Sequence, residues 1–125
     1  MDLKKRFQSF RFAGQGVYFL IASQPNARIH LAATGIVTLL GWLFKLRNGE
    51  WCLLVVAITL VWLAEAMNTV FELLADAVTT DFHPLIKHAK DVAAGAVLLA
   101  VIGAIILGAF IFLPHLAPVI VEILE

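Results

Sequence analysis

An apolar run from Trp51 to Ala75 holds two carboxylates and an amide, and that combination limits what the chain can become. At ~1.5 Å per residue the run is long enough to cross a bilayer as a helix. An ionisable side chain in the hydrocarbon region costs at least ~2.5–3.5 kcal/mol on insertion scales. The phase of these residues matters more than their number. At ~100° per residue, Glu65, Asn68, Thr69, Glu72 and Asp76 fall within roughly 100° of one another. Glu65 and Glu72 are nearly in line, about 10 Å apart along the axis. The run therefore predicts a helix with one polar stripe. Asn and Thr can form such a stripe merely to join helices. Two acids with no adjacent base make a poor join.

The rest of the composition agrees with a membrane protein. Of 125 residues, 62% are hydrophobic, which leaves one membrane domain, 1–125, as the sensible organisation. The formal net charge is zero, so nucleic acid is not an expected partner. Cys52 is the single cysteine and can form no intrachain disulfide. The histidines at 30, 83, 88 and 115 show no zinc-site spacing with it. The N-terminus lacks the pattern of a signal peptide.

Residues 3–23 mix Lys4, Lys5, Arg6 and Arg11 with Phe7, Phe10, Val17 and Ile21, the last four on one helical face. This predicts an amphipathic helix lying in the membrane interface. Ser23-Gln24-Pro25-Asn26 breaks it, with Pro25 opening the next helix. Transmembrane helices are predicted over 29–46, 51–75 and 92–113, the last rich in small residues at its start and ended by Pro114 and Pro118. The fold class expected is thus all-α. Charge sets the orientation. With the N-terminus in the cytoplasm, seven Lys or Arg lie inside and two outside, so Glu72, Asp76 and the Lys90-Asp91 pair face the cytoplasm.

Carboxylates hold Mg²⁺, which prefers oxygen ligands shared with phosphate. A lysine neutralises phosphate charge, and a deeper carboxylate can take a proton from an alcohol. These are the parts of a phosphoryl transferase, whose work is positioning and charge neutralisation. No glycine-rich phosphate loop is present. A proton or ion pathway uses similar intramembrane acids, so residue chemistry alone leaves both readings open.

The patterns Glu65-x-x-Asn68-Thr69-x-x-Glu72-x-x-x-Asp76, His83, and Ala89-Lys90-Asp91-x-Ala93-Ala94-Gly95-Ala96 resemble the small integral-membrane diacylglycerol kinase and undecaprenol kinase family, over about residues 11–114. The resemblance implies a homotrimer in the bacterial cytoplasmic (inner) membrane, each subunit having a surface helix and three transmembrane helices, with active sites shared between subunits. It implies ATP as co-substrate, Mg²⁺, and a membrane lipid alcohol as acceptor. By position, Glu65 resembles the general base, and Glu65, Arg28, Asn68 and Ala94 resemble residues that contact the acceptor. Glu72 resembles the metal-binding carboxylate beside the nucleotide. Asp81, Phe82, His83, Lys90 and Asp91 resemble nucleotide contacts.

This chain departs from the family pattern at two places. A second metal-binding Glu, usual four residues before the arginine, is here Gln24, which offers an oxygen without a charge. The motif Ala-Trp-Lys/Arg-Gly near the N-terminus is here Ala13-Gly14-Gln15-Gly16. The segments Asn26-Ala27-Arg28-Ile29-His30 and Phe82 to Asp91 resemble the undecaprenol-using branch more than the diacylglycerol-using one.

Overall fold

The computed structural model describes residues 2–125, and over these the chain is four helices in sequence: α1 Leu3–Ser23, α2 Pro25–Leu43, α3 Asn48–Val78 and α4 Pro84–Leu124. Each boundary has a local cause. The Asp2 side chain accepts a hydrogen bond from the Lys4 amide and caps α1. Gln24 turns extended, and Pro25 occupies the first turn of α2, where its missing N–H costs nothing. Arg28 then reaches back. Its guanidinium donates to the carbonyls of Ile21 at 3.2 Å and Ala22 at 2.5 Å. These are among the carbonyls a helix end leaves unpaired, and the cation also suits the negative end of the α1 dipole.

Helix α2 stops at Leu43 rather than continuing to the expected 46. Lys45 adopts φ 53°, the left-handed region. The Lys45 amide donates to the Trp42 carbonyl and the Leu46 amide to that of Gly41, which is the Schellman arrangement. Leu46 folds back so far that a Cβ on Gly41 would lie 3.0 Å from its side chain and 2.8 Å from the Trp51 ring. Only glycine permits this approach at that spacing.

Helix α4 also differs from expectation. It runs unbroken through Pro114 and Pro118 to Leu124, so these prolines do not end it at 113. A proline deletes one helical hydrogen bond and crowds the carbonyl a turn earlier. In apolar surroundings, unwinding would orphan more backbone groups than the prolines do. The segment is anchored as well. His115 Nε2 lies 2.9 Å from Glu50 Oε2, and its ring faces Phe44 at 6.0 Å.

The packing divides into two levels. Leu46, Leu54 and Ile111 form a small apolar core, with Phe44, Trp51 and Phe112 against it. Farther along α3 the buried side chains turn polar: Glu65, Asn68 and Thr69. Most other large apolar groups point outward, among them Phe7, Phe10, Leu99 and Phe110. Helices α3 and α4 are long and apolar enough to span a membrane, and only 11% of the most apolar stretch of α4 is buried. Apolar surface on this scale needs lipid or protein against it. Helix α2 has 19 residues and carries Asn26, Arg28 and His30 in its first turns, and it falls outside that pair.

Candidate active site

The polar stripe on α3 emerges gradually from the protein. Glu65 is 1% exposed, Asn68 and Thr69 are buried, Glu72 is half-buried and Asp76 is exposed. Helical periodicity puts all five on one face, and the neighbouring helices decide how deeply each is covered. Thr69 is satisfied inside its own helix, its hydroxyl donating to the Glu65 carbonyl at 3.0 Å. The other two are not. Glu65 Oε2 and Asn68 Oδ1 are buried without a hydrogen-bond partner. Both side chains line a cavity of about 320 Å³, whose walls also include Asn26, His30, Ala94 and Val97. Unpaired buried oxygens are costly, about 1–3 kcal/mol each and more when charged. Two acceptors facing one cavity favour a guest that brings a hydroxyl or amine proton.

His30 is the residue the sequence reasoning missed. It approaches Glu65 from α2, with Nε2 3.3 Å from Oε2, yet the alignment completes no hydrogen bond. Its ring stands edge-on to Trp62 of α3, with centroids 6.3 Å apart and planes at 69°. The Trp62 Nε1–H donates to Thr34 Oγ1 at 3.0 Å, and that hydroxyl donates to the His30 carbonyl at 2.7 Å. A signal was present: His30 is a second polar group within an apolar stretch, with no neighbour in sequence to pair with. A second cavity, about 330 Å³ and almost wholly apolar, begins at His30 and runs between α2, α3 and α4 to Phe112.

The charged residues cluster at the far end of α3 and the start of α4. Lys90 Nζ lies 2.6 Å from Asp76 Oδ1 and so bridges the two helices. Asp91 pairs with Lys87 at 2.5 Å, one turn back on its own helix. Lys90 and Asp91 therefore do not pair with each other, because adjacent helical residues face different directions. His83 caps α4, its Nδ1 accepting from the Leu85 amide at 3.2 Å. Asp81 and Phe82 are exposed in the α3–α4 connection. Asn68, Ala94 and Glu65 share one cavity, whereas Arg28 is engaged at the α1–α2 joint and is not among that cavity's walls. Gln24 sits in the same joint, with its amide 3.5 Å from the Ser23 hydroxyl.

Among the described residues no three His, Cys, Asp or Glu converge as a closed metal site. Glu72, by contrast, has neither an ion-pair nor a hydrogen-bond partner among them, so its carboxylate is free. One free carboxylate fits Mg²⁺ that arrives with a nucleotide, since this ion commonly takes one or two carboxylates and completes its shell with phosphate and water.

The family model described as prokaryotic diacylglycerol kinase matches residues 11–112. The chain is 37% identical over 115 residues to a protein of Bacillus subtilis named undecaprenol kinase, covering 92% of this chain and 94% of that one. It is 40% identical over 114 residues to a protein of Synechocystis sp. named diacylglycerol kinase, covering 90% of this chain and 65% of that one.

Proposed function

The chain belongs to the prokaryotic diacylglycerol kinase family of lipid kinases, and from that premise we propose that it transfers the γ-phosphate of ATP to a membrane lipid alcohol, undecaprenol in preference to diacylglycerol. The observation that carries this reading is the cavity holding two unpaired buried acceptors, Glu65 and Asn68, with an apolar cavity adjoining it at His30. An alcohol head brings one hydroxyl proton, which suits the Glu65 carboxylate, and a hydrocarbon tail suits the apolar cavity. The preference for undecaprenol rests on the 26–30 and 82–91 segments, because apolar grooves discriminate weakly between chains.

In this reading Glu65 removes the hydroxyl proton as the alcohol oxygen attacks, and Asn68 and Ala94 shape the seat for the head group. Arg28 steadies the lipid end of the site from the α1–α2 joint. Lys90 neutralises phosphate charge, and Asp81, Phe82, His83 and Asp91 lie against the nucleotide, His83 also capping α4. Glu72, with Gln24 as a neutral partner, would hold Mg²⁺, which when bound neutralises charge on the phosphates. The α1 helix lies in the interface with its aromatic face toward lipid, and α2 is a third, shorter span. The wide apolar faces of α3 and α4, rich in Ala and Gly between Ala96 and Ala104, suit assembly as a homotrimer with shared sites. Positive charge sets the N-terminus in the cytoplasm, in the inner membrane, where ATP is available.

Paired assays with labelled ATP test the acceptor: undecaprenol is phosphorylated faster. Transfer to diacylglycerol alone overturns the preference. Mg²⁺-ATP should also protect the folded protein from thermal unfolding. Absence of protection favours a non-catalytic membrane protein or proton pathway. Glu72→Gln should weaken metal-nucleotide binding and recover partly at high Mg²⁺, whereas Glu65→Gln should bind nucleotide yet lose turnover. Equal loss of nucleotide binding in both refutes this division of roles.

A further inference from the structure

We propose that His30 is a positioning residue for Glu65, an inference that rests on Glu65 being the base. Glu65 is fully buried, and a buried carboxylate without a partner is costly. Among the described residues His30 is the one basic side chain within ion-pair distance of it. Both atoms lack a hydrogen-bond partner, and an imidazole with its proton on Nε2 would supply a donor for Oε2 at 3.3 Å. A small rotation makes this N–H a donor to Oε2.

His30 is also well placed to be rigid. Trp62 lies against its ring, and Thr34, one turn along α2, ties Trp62 to the His30 carbonyl. The contact thus spans α2 and α3 beside a hydrogen bond that ties the two helices together. With Oε2 held, the other carboxylate oxygen is left for the acceptor. The alcohol proton passes to Glu65 as the new O–P bond forms and the bond from the γ-phosphorus to the leaving ADP oxygen breaks. His30 keeps its own proton throughout. It acts on the reaction only through the aim of the Glu65 carboxylate.

The test is a double-mutant cycle on the full chain in lipid-containing micelles, with turnover read from labelled ATP. His30→Leu should lower kcat by roughly 10- to 100-fold, the scale of misaligning a reacting group by about 1 Å. KM for ATP should not move. His30→Gln, which retains an N–H at similar reach, should recover most of the loss. In a Glu65→Gln background, His30→Leu should cost nothing further, because a residue acting through Glu65 has nothing left to position. Independent, multiplicative losses would mean a structural role and overturn the proposal. So would a His30→Leu enzyme within about twofold of wild type while Glu65→Gln is inactive; twofold is only about 0.4 kcal/mol. Wild-type turnover in Glu65→Gln would remove the base assignment, and this proposal with it. If His30→Leu does not fold, His30→Asn, whose shorter amide falls short of Oε2, takes its place with the same outcomes.

Discussion

Lys90 has two candidate partners, Asp76 and a nucleotide phosphate, and replacing each side of the pair separates them. In the structure the Lys90 ammonium sits 2.6 Å from the Asp76 carboxylate, with side chains 37% and 60% exposed. At such exposure an ion pair contributes only about 0.2–1 kcal/mol to stability. A hydrogen bond from the ammonium to a charged phosphate oxygen is worth about 1.5–3 kcal/mol. That corresponds to roughly 10- to 150-fold in affinity. Lys90→Met keeps the apolar stem and deletes the charge, so nucleotide affinity should fall by that factor while intrinsic stability changes by less than about 1 kcal/mol. Asp76→Asn frees the ammonium from its competitor. Affinity should then hold, or rise by up to about fivefold, the equivalent of ~1 kcal/mol. Titration calorimetry with a non-hydrolysable ATP analogue and Mg²⁺ reads both variants, and thermal unfolding without nucleotide reads stability. Unchanged affinity in Lys90→Met would refute a phosphate contact. A loss in Asp76→Asn equal to that in Lys90→Met would mean that Asp76 itself serves the nucleotide or metal.

Gln24→Glu should lower the Mg²⁺ concentration for half-maximal activity about tenfold, since ~1.4 kcal/mol is a small part of the ~4 kcal/mol between unit charges ~4 Å apart at an effective dielectric near 20. An unchanged Mg²⁺ midpoint would remove Gln24 from the metal site. Gly41→Ala should destabilise the protein by about 1–3 kcal/mol, the usual cost of overpacking, because the new methyl meets the Trp51 ring at 2.8 Å. Thermal unfolding checks this, and pairing the change with Trp51→Leu should abolish most of the loss. Lys45→Gly should stabilise by up to about 1 kcal/mol by relieving a left-handed backbone at a non-glycine residue. A lower unfolding midpoint in that variant would show that the Lys45 side chain contributes more than the strain costs.

Much of the architecture follows from local rules. Helical periodicity alone aligned Glu65, Asn68, Thr69, Glu72 and Asp76, because the phase of residues on one helix depends only on their spacing. The burial of the first three on that face agrees with the stripe turning toward protein. Gln24-Pro25 was recognisable as a break because an extended residue and a proline at the first helical turn are a property of a few adjacent residues.

Contacts between helices were not legible in this way. The partner of Lys90 is Asp76, 14 residues away, rather than its neighbour Asp91. The group facing Glu65 is His30, on a helix that the Trp62–Thr34 hydrogen bond ties to α3. Neither pairing leaves a mark in spacing, since the crossing and axial shift of two helices depend on all their touching side chains together. Pro114 and Pro118 mislead for a related reason. As local signals they stop a helix, but the alternative in apolar surroundings is a stretch of unpaired backbone, and α4 continues with His115 held against Glu50. Which residues share a face follows from spacing, because it is set within one helix. Which faces meet does not, because it is settled only when the helices pack.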